Sequence, residues 1–374
     1  MKIAVNTRFL LKDKMEGFGW FTYETVKRMV LAHPEHEFVF FFDRPFDKKF
    51  IFADNVTPMV LRPPARHPIL FKIWFNHSVK KALKKTKADV FFSADGFLCL
   101  KTKVPQVAVI HDLNFEHYPK DLPKSARKYL KKYFPKFARK AAHIITVSNY
   151  SKEDIVKTYG IKPDKITVAY NGGSDLYQPI SASERVMMTT ELTKGDEYFV
   201  YVGALHARKN IGRMLRAFES FKEETGSETK FIIVGEKLWS KQLNEEDFTD
   251  LHHAKDIQFI GHQPIDKLVK IVASAKALIL VSYFEGFGIP LVEAMRSGTA
   301  IVCGNQTSLP EVAGDVGVLV NPFSIDDIAK GMRKIDENDE LRTSLEEAGL
   351  SRARQFDWDD SAQTIWDVIE KEFS

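Results

Sequence analysis

The chain has 374 residues, of which 44% are hydrophobic and 28% are charged, and its formal net charge is +4. That length is too great for one ordinary hydrophobic core and predicts two domains, while the nearly balanced charge gives no reason to expect a nucleic-acid partner. No run of about 20 apolar residues exists, so no transmembrane helix is predicted.

Targeting and redox signals are few. The segment 1–15 has only a short apolar run without a small-residue cleavage site, which predicts a first strand rather than a signal peptide. Cys99 and Cys303 lie in apolar stretches far apart in the sequence, which predicts two buried, reduced thiols. These features predict a cytoplasmic protein.

Short apolar runs alternate with helical patterns along most of the chain, as in parallel sheets covered by helices on both faces. The predicted strands are 2–6, 37–42, 89–92, 106–110, 143–147, 165–170, 198–203, 230–235, 257–261, 277–281, 300–303 and 316–320. The predicted helices include 124–141, 209–224, 264–274, 324–335 and 357–372. Repeated βα units of this kind predict an α/β fold with two doubly wound, Rossmann-like parallel sheets.

The Gly-, Ser-, Pro- and Thr-containing stretch 172–196 interrupts this rhythm and is the best domain boundary. We therefore predict an N-terminal domain at 1–172, a linker at 173–196 and a C-terminal domain at 197–356. The segment 357–374 is predicted to be one more helix, with Trp358, Ile365, Trp366 and Ile369 as its apolar stripe. Because open α/β sheets bind ligands beyond the carboxyl ends of their strands, functional residues are expected directly after strands.

Two candidate features lie in the N-terminal half. Gly17 and Gly19 precede an amphipathic helix, but their spacing departs from the dinucleotide fingerprint, so a flexible glycine loop near the ligand fits better. His111 and Asp112 directly follow the strand 106–110. The histidine is a candidate to donate to a sugar hydroxyl or act as an acid or base, and Asp112 is equally a candidate for ordering the loop.

The segment 124–140 predicts a basic amphipathic helix. Its aromatic residues keep helical spacing and its lysines and arginines fall between them. Packing of the aromatic face on the sheet with a solvated basic face is one interpretation, and peripheral contact with an anionic membrane is the other.

Charged residues follow two strands of the C-terminal half. Gly203 ends one strand, Arg208 and Lys209 come next, and the pair suits a diphosphate. After the strand 277–281, the sequence EGFGIPLVE places Glu285 and Glu293 on either side of a glycine turn that enters a helix. The turn favours phosphate at the helix N-terminus, so the two acids are predicted to accept hydrogen bonds from sugar hydroxyls.

Metal chemistry is not expected. His252 and His253 are adjacent, and adjacent side chains on a helix diverge. Acidic residues at other helix starts are explained by capping. We therefore predict no metal site and no cofactor.

Taken together, these motifs resemble family 4 of the retaining glycosyltransferases, which have the GT-B architecture, over nearly the full chain. The resemblance rests on EGFGIPLVEAMRSG, GALHARKN, IHD, VSNYSKEDI, YNG and SLPEVAGDVGVLVNP, which occur in the family's order. It implies transfer of a hexose from a nucleotide-diphosphate sugar to a hydroxyl of a glycan or glycolipid, with retained configuration and without metal.

The resemblance also implies that 1–172 is the acceptor-side domain, that 197–356 binds the nucleotide sugar, and that the helix at 357–374 packs back on the first domain. It implies roles for individual residues as well. Arg208 and Lys209 look like the diphosphate-binding pair, Glu285 like the acid that contacts the transferred sugar, and Glu293 like the ribose ligand. His111 is similar to a histidine near the sugar. The implied donor-binding set is completed by Gly17, Gly19, Gly203, Gly286, Phe287, Gly288 and Ile289.

Two positions depart from the family pattern. Ala204 stands where some members carry an additional arginine, which leaves the phosphate charge to Arg208 and Lys209. The loop GEKLWSKQ lacks the usual small-residue start, so base recognition there stays open. GDP-mannose is the expected donor and UDP-glucose the second choice; a nucleotide-sugar epimerase and a non-catalytic sugar-nucleotide-binding protein are the alternatives.

Overall fold

The computed structural model describes residues 1–12, 15, 17–65, 67–236 and 251–373. It divides into two compact units: unit 1 contains Met1–Asn171 and Asp357–Ser374, and unit 2 contains Gly172–Phe356. Each unit has one parallel sheet flanked by helices, so the predicted fold class is confirmed.

Thirteen strands form the two sheets in the described part of the chain. They are β1 (Lys2–Asn6), β2 (Glu37–Phe42), β3 (Val56–Val60), β4 (Val90–Ser93), β5 (Gln106–Val109), β6 (His143–Thr146), β7 (Ile166–Val168), β8 (Tyr198–Val202), β9 (Lys230–Val234), β10 (Ile257–Gly261), β11 (Ala277–Leu280), β12 (Ala300–Gly304) and β13 (Gly317–Val320). The order is β3-β2-β1-β4-β5-β6-β7 in unit 1 and β10-β9-β8-β11-β12-β13 in unit 2.

The α-helices of the described residues follow the same chain order. They are α1 (Gly17–Ala32), α2 (Pro68–Ile73), α3 (Lys80–Thr86), α4 (Asn114–His117), α5 (Lys124–Lys140), α6 (Asn149–Tyr159), α7 (Ala182–Thr193), α8 (Ile211–Thr225), α9 (Ile265–Ser274), α10 (Ile289–Arg296), α11 (Leu309–Ala313), α12 (Ile325–Asp336), α13 (Asp339–Ala353) and α14 (Trp358–Phe373). None of them is both long and apolar enough to span a bilayer.

Strand β3 is the one described strand that the sequence analysis missed. Pro58 interrupts its apolar run, and a proline argues against a strand in the middle of a sheet. The strand lies at the edge of the sheet, beside β2 only. At an edge, the missing N–H of proline costs no ladder hydrogen bond on the open side.

Helix α14 packs within unit 1 although it comes last in the described chain. The predicted apolar stripe is buried: Trp358, Ile365, Trp366 and Ile369. Trp366 stacks on His33, the residue directly after α1, with ring centroids 3.5 Å apart. The Asp357 carboxylate accepts a hydrogen bond from the Asp359 amide at 2.7 Å and caps the helix start. The prediction that this helix packs back on the first domain is confirmed.

The segment 173–196, predicted as a linker, contains helix α7. Its start is a capping box, in which the Ser181 hydroxyl and the Glu184 carboxylate each bond to the other residue's backbone N–H. The S-x-x-E signal was present in the sequence, but the surrounding glycines and threonines outweighed it. The linker prediction is therefore wrong for residues 182–193.

In each sheet, the direction in which successive strands are added reverses at one point. In unit 1 this switch point lies between β1 and β4, and in unit 2 between β8 and β11. Ligands of open parallel sheets bind at such points, beyond the carboxyl ends of the strands. Cys99 and Cys303 are buried free thiols in the two units.

Candidate functional site

The loops that follow β8 and β11 are joined at the switch point of unit 2. The Tyr283 amide donates to the Arg208 carbonyl at 3.0 Å. The Asn210 side chain donates to the Val281 carbonyl at 3.0 Å and the Pro322 carbonyl at 2.6 Å. Asn210 has φ +63° and makes no side-chain cap to α8. The residue therefore fixes three loops together.

Arg208, Lys209 and Glu285 form one charge cluster at this switch point. An Arg208 terminal nitrogen donates to the Glu285 carboxylate at 2.6 Å and to the Phe284 carbonyl at 3.0 Å, and the Lys209 Nζ lies 2.5 Å from the other carboxylate oxygen. Glu285 is 5% exposed and Lys209 9% exposed. Burial opposes ionisation of Glu285, but Arg208 and Lys209 outweigh it and lower its pKa to about 2. The carboxylate is therefore ionised at neutral pH and holds both cations in place.

The glycine turn after Glu285 is fixed by its neighbours. The Glu285 amide donates to the Thr307 hydroxyl at 3.1 Å, and the Ser308 hydroxyl lies 2.9 Å from the Glu285 carbonyl and 3.0 Å from the Phe287 carbonyl. Gly288 has φ +108°, and a Cβ there would lie 2.8 Å from a Leu309 methyl carbon. Position 288 therefore needs glycine for both backbone and space.

Three other predicted residues belong to this turn: Gly286, Phe287 and Ile289. Phe287 is buried at 3% exposure and packs edge-on against Phe356, with centroids 5.5 Å apart. Ile289 is the first residue of α10, and Gly286 lies between Glu285 and Phe287. The ring of Phe287 belongs to the core, so any ligand contact of this turn comes from its peptide groups.

Glu293 lies one turn into α10 and is half-buried. Burial raises its pKa to about 7, and the hydrogen bond from the Tyr177 hydroxyl acts in the opposite direction. The same hydrogen bond and burial raise the pKa of Tyr177. The pKa values of Glu285 and Glu293 are thus shifted in opposite directions.

Gly203 directly follows β8, the first strand of the site. It has φ +147°, and Gly235 at the end of the neighbouring strand β9 has φ +150°. A Cβ on Gly235 would lie 1.9 Å from the Gly203 carbonyl oxygen. The two glycines therefore allow the loops after β8 and β9 to touch. The proposed base-recognition loop GEKLWSKQ lies, beyond Glu236, outside the described residues.

Unit 1 holds the remaining predicted residues. His111 donates from Nε2 to the Ala94 carbonyl at 2.8 Å, which leaves Nδ1 as the acceptor nitrogen. Phe18 and Phe21 meet its ring edge-on at 4.7 and 4.8 Å. Burial is the main cause of its lowered pKa, so the ring is neutral at pH 7.

Gly17 and Gly19 are not in a loop, as the sequence analysis expected, but in the first turn of α1. A Cβ on Gly19 would lie 2.7 Å from the Phe9 carbonyl oxygen, whereas one on Gly17 would meet nothing within 4 Å. The glycine at 19 is thus required for close approach of the helix to the turn after β1. The prediction that Gly17 and Gly19 lie in a flexible loop is therefore wrong, because both residues are helical.

The structure thus brings the unit 2 candidates into one region and places the other three in unit 1. Sequence reasoning did not assign roles to Thr307, Ser308 or Tyr177. Ser308 begins the SLPEVAG motif, so its signal was visible, whereas Tyr177 lay in the segment interpreted as a linker.

The two adjacent histidines behave differently from the expectation. They lie in a turn, and both approach Glu219 of α8: His252 Nδ1 at 3.7 Å and His253 Nδ1 at 3.1 Å. Glu219, Glu223 and His252 are a group whose ligand atoms lie within 4.8 Å of one another, and His252 is 82% exposed. The Glu219 carboxylate also accepts the amides of His252 and His253. Hydrogen bonding accounts for the convergence on Glu219.

Family models match both halves of the chain. The model described as Glycosyl transferases group 1 matches residues 184–352, and the model described as Glycosyltransferase Family 4 matches residues 16–173. Together they include the charge cluster, Glu293, Gly17, Gly19 and His111.

Relatives and solved structures match over the same length. O-antigen chain mannosyltransferase B of Escherichia coli is 27% identical over 98% of this chain and 98% of its own. The Anabaena HepE structure in complex with UDP-glucose has a TM-score of 0.78 at 18% identity, covering 99% of this chain and 100% of that one. The structure of WaaG, a glycosyltransferase involved in lipopolysaccharide biosynthesis, has a TM-score of 0.76 at 17% identity, covering 98% and 99%. The two structures share the GT-B fold with this chain.

Proposed function

Because the chain belongs to family 4 of the glycosyltransferases, we propose that it moves a hexose from a nucleotide-diphosphate sugar to a hydroxyl of a glycan or glycolipid during cell-surface polysaccharide synthesis. The observation that carries this proposal is the convergence of Arg208, Lys209 and Glu285 at the β8–β11 switch point, next to the glycine turn. Switch points are where such sheets bind nucleotides.

The charge cluster suits the leaving group. A departing nucleoside diphosphate gains negative charge as the sugar leaves, and fixed cations stabilise that charge best when water is excluded. Lys209 is nearly buried and Arg208 is held by two hydrogen bonds, so neither has to reorganise. We therefore assign the diphosphate to these two cations and to the peptide groups of 286–289, without a metal ion or cofactor.

The carboxylates suit sugar hydroxyls. Glu285 is ionised and accepts hydrogen bonds from hydroxyls of the transferred hexose, while Glu293 holds the ribose. His111 supplies an acceptor nitrogen to a sugar hydroxyl. Retention follows if the acceptor hydroxyl attacks on the face that the diphosphate leaves: the new C–O bond forms as the C–O bond to phosphate breaks, and the departing phosphate takes the hydroxyl proton.

Mannose is the proposed hexose, with GDP-mannose as donor. An O-antigen chain mannosyltransferase aligns with almost the whole chain, which supports this choice. UDP-glucose is the second candidate, since the HepE structure contains it.

A thermal-shift screen of nucleotides and nucleotide sugars tests the donor site, because a ligand that binds only the folded state raises the melting temperature. We expect a shift with GDP-mannose or GDP that is lost in Lys209→Ala. Lys276→Ala is the matched control, because Lys276 is equally buried and pairs with Glu197 at 2.5 Å and Asp336 at 2.9 Å. Transfer that continues at the same rate in EDTA supports the metal-free assignment. Absence of any shift, with every nucleotide and nucleotide sugar, would count against the donor site.

We further propose a cytoplasmic protein that contacts the inner membrane surface through α5. The aromatic face of α5 is buried, and all its exposed positions except Ser125 are cationic: Lys124, Lys128, Lys131, Lys132, Lys136, Arg139 and Lys140. Such a face attracts anionic lipid and is screened by salt. Co-sedimentation with phosphatidylglycerol vesicles should fall for Lys128→Glu/Lys132→Glu and not for Lys81→Glu/Lys85→Glu on α3. Equal losses for both pairs would remove α5 as the contact.

A further inference from the structure

Tyr177 is a buried side chain of unit 2 whose hydroxyl reaches helix α10. The residue is 4% exposed, and its hydroxyl donates a hydrogen bond to the Glu293 carboxylate. A buried tyrosine needs a partner for its hydroxyl, and a backbone carbonyl is sufficient. Tyr198 in β8, for example, donates to the Ile271 carbonyl at 2.7 Å. Tyr177 instead donates to a carboxylate to which the proposed function gives a ligand.

The segment 173–177, which carries Tyr177, is held against α10. The Asp175 carboxylate accepts a hydrogen bond from a terminal nitrogen of Arg296, the last residue of the helix, at 2.7 Å. A Cβ on Gly173 would lie 2.6 Å from the Arg296 Nε and 2.8 Å from a Val292 methyl carbon. The segment comes this close to the helix because residue 173 is glycine.

The same segment is tied to Phe356, at the other end of unit 2. The Gly173 amide donates to the Phe356 carbonyl at 3.2 Å, and the second terminal nitrogen of Arg296 donates to the same carbonyl at 3.1 Å. Phe356 also packs edge-on against Phe287 of the glycine turn. The backbone before Tyr177 is therefore fixed on both sides, and in a close-packed interior its buried ring has little room to turn away from Glu293.

Glu293 keeps acceptor capacity for a ligand. The residue is half-buried, so its side chain is within reach of solvent. Among the described residues, Tyr177 is the one side chain that donates to the Glu293 carboxylate. An ionised carboxylate has about four acceptor positions on its two oxygens. One fixed donor therefore sets the orientation of the carboxylate and leaves positions free for hydroxyls of a ligand.

We propose that Tyr177 is the positioning residue of the ribose subsite: by fixing the Glu293 carboxylate, it makes the donor site select nucleotides that carry free ribose hydroxyls. The inference rests on the proposed function, in which Glu293 holds the ribose, and it adds the residue that determines the selectivity. A carboxylate already held in one orientation loses less side-chain entropy when a hydroxyl binds. A nucleotide without these hydroxyls leaves the oriented acceptor without its ligand partner.

The test compares nucleotide binding by the full wild-type chain and by Tyr177→Phe, measured by calorimetry. The probes are GDP, UDP and their 2′,3′-dideoxy forms at pH 8, where Glu293, with a pKa of about 7, is mostly ionised. We expect wild type to prefer its better-bound nucleotide over the dideoxy form by roughly tenfold to hundredfold, the range of a hydrogen bond to a charged group. Tyr177→Phe should reduce that preference to about threefold or less and leave the affinity for the dideoxy form unchanged.

Tyr198→Phe is the matched control. It also removes the hydroxyl of a buried tyrosine of unit 2, but that hydroxyl donates to a backbone carbonyl. We expect Tyr198→Phe to keep the wild-type preference. A purely structural role of Tyr177 would weaken the binding of the nucleotide and of its dideoxy form equally. That result would overturn the inference, and so would an equal loss of preference in both variants.

Glu293→Gln shows whether Tyr177 acts through the carboxylate. In this background the preference for ribose hydroxyls is already reduced, so adding Tyr177→Phe should not reduce it further. If the second substitution lowers the preference by the same factor as it does in wild type, Tyr177 acts independently of Glu293 and the inference is wrong.

The two proposals fail in different ways. If nucleotide sugars are turned over and Tyr177→Phe keeps the wild-type preference, the role of Tyr177 falls and the transferase stands. If the wild-type chain binds neither nucleotide, the proposed donor site falls, and the role of Tyr177 falls with it.

Discussion

The switch point of unit 1 and that of unit 2 occupy the same topological position and carry opposite chemistry. A cavity at the first is lined by six phenylalanines, by the Asp112 carboxylate and by Arg8 and Arg44, which pair with Asp95 and Asp43, whereas Arg208 and Lys209 share a single carboxylate at the second. The cluster of unit 2 therefore keeps a surplus positive charge and suits phosphate, while the cavity of unit 1 has none. The fold sets where a ligand binds, and the residues after each strand set which ligand it is.

The largest expected effect concerns the ion pair of unit 1. Arg8→Ala leaves Asp95 buried without its cation, and we expect it to lower the free energy of unfolding by about 3–5 kcal/mol. The measurement is urea denaturation followed by circular dichroism. The double variant Arg8→Ala/Asp95→Ala should recover part of the loss because no buried charge remains. If the single and double variants lose the same free energy of unfolding, Arg8 is not needed to neutralise the buried charge of Asp95.

Next comes the surplus charge of unit 2. Lys209→Ala should reduce the transfer rate by roughly 10²–10³-fold, the scale of losing one fixed donor at a developing charge. The rate is measured by release of nucleoside diphosphate at saturating donor. Lys276→Ala is the control, because it also removes a buried lysine but no predicted phosphate contact. If Lys209→Ala and Lys276→Ala both transfer sugar at a near-normal rate, Lys209 does not bind the phosphate.

Glu285→Gln separates binding from transfer. The neutral amide raises the charge of the cluster by one, so nucleoside diphosphate should bind roughly threefold to tenfold more tightly, while transfer falls because the sugar contact is lost. Calorimetry with GDP and UDP measures the first and product release the second. Asp256→Asn is the control, since Asp256 is a buried acid between Lys222 at 2.9 Å and Lys230 at 2.8 Å. Weaker nucleotide binding by Glu285→Gln would contradict this prediction, because it would mean that holding the cations in place matters more for binding than the charge that the carboxylate neutralises.

The smallest effect is a pH dependence. The pKa of Glu293 is raised from 4.5 to about 7, so the folded state binds the proton more tightly than the unfolded state does. The stabilising contribution of Glu293 to the free energy of unfolding is fully present below its ordinary pKa of 4.5, and it is lost as the pH rises through about 7. Glu293→Gln should therefore raise the melting temperature relative to wild type more at pH 8.5 than at pH 5, and Tyr177→Phe should move the wild-type transition to higher pH. A difference independent of pH would disprove the raised pKa.

Much of the fold followed from apolar periodicity. Twelve of the strands could be placed because their Val-, Ile- and Phe-rich runs are bounded by polar loops, and α14 because Trp358, Ile365, Trp366 and Ile369 share one face. Strand β3 and helix α7 were missed where Pro58 and a Gly/Thr-rich neighbourhood obscured them. The edge position of β3 depends on the tertiary structure, which composition does not show. The capping box of α7 is a pattern of only four residues, and the composition of a longer segment hides it.

The candidate site was less predictable. The spacing of Arg208, Lys209, Glu285 and Glu293 after strands was readable from the sequence. The sequence did not show that both cations bind one carboxylate, nor that burial raises the pKa of Glu293 to about 7. Those properties depend on burial and on partners distant in sequence, such as Tyr177 and Ser308. The cavity of unit 1 was not foreseen, because Arg8 and Asp95 meet only through the pairing of β1 with β4.

Unit 1 is assembled from both ends of the described chain, and this has a consequence for biosynthesis. On the ribosome, all of Gly172–Phe356 emerges before the helix whose Trp366 covers His33. Until then the uncovered face of α1 is an apolar surface on a nascent chain, the kind of surface that chaperones bind. A translation product that stops before residue 358 would carry every residue of the donor cluster and still lack a finished first lobe.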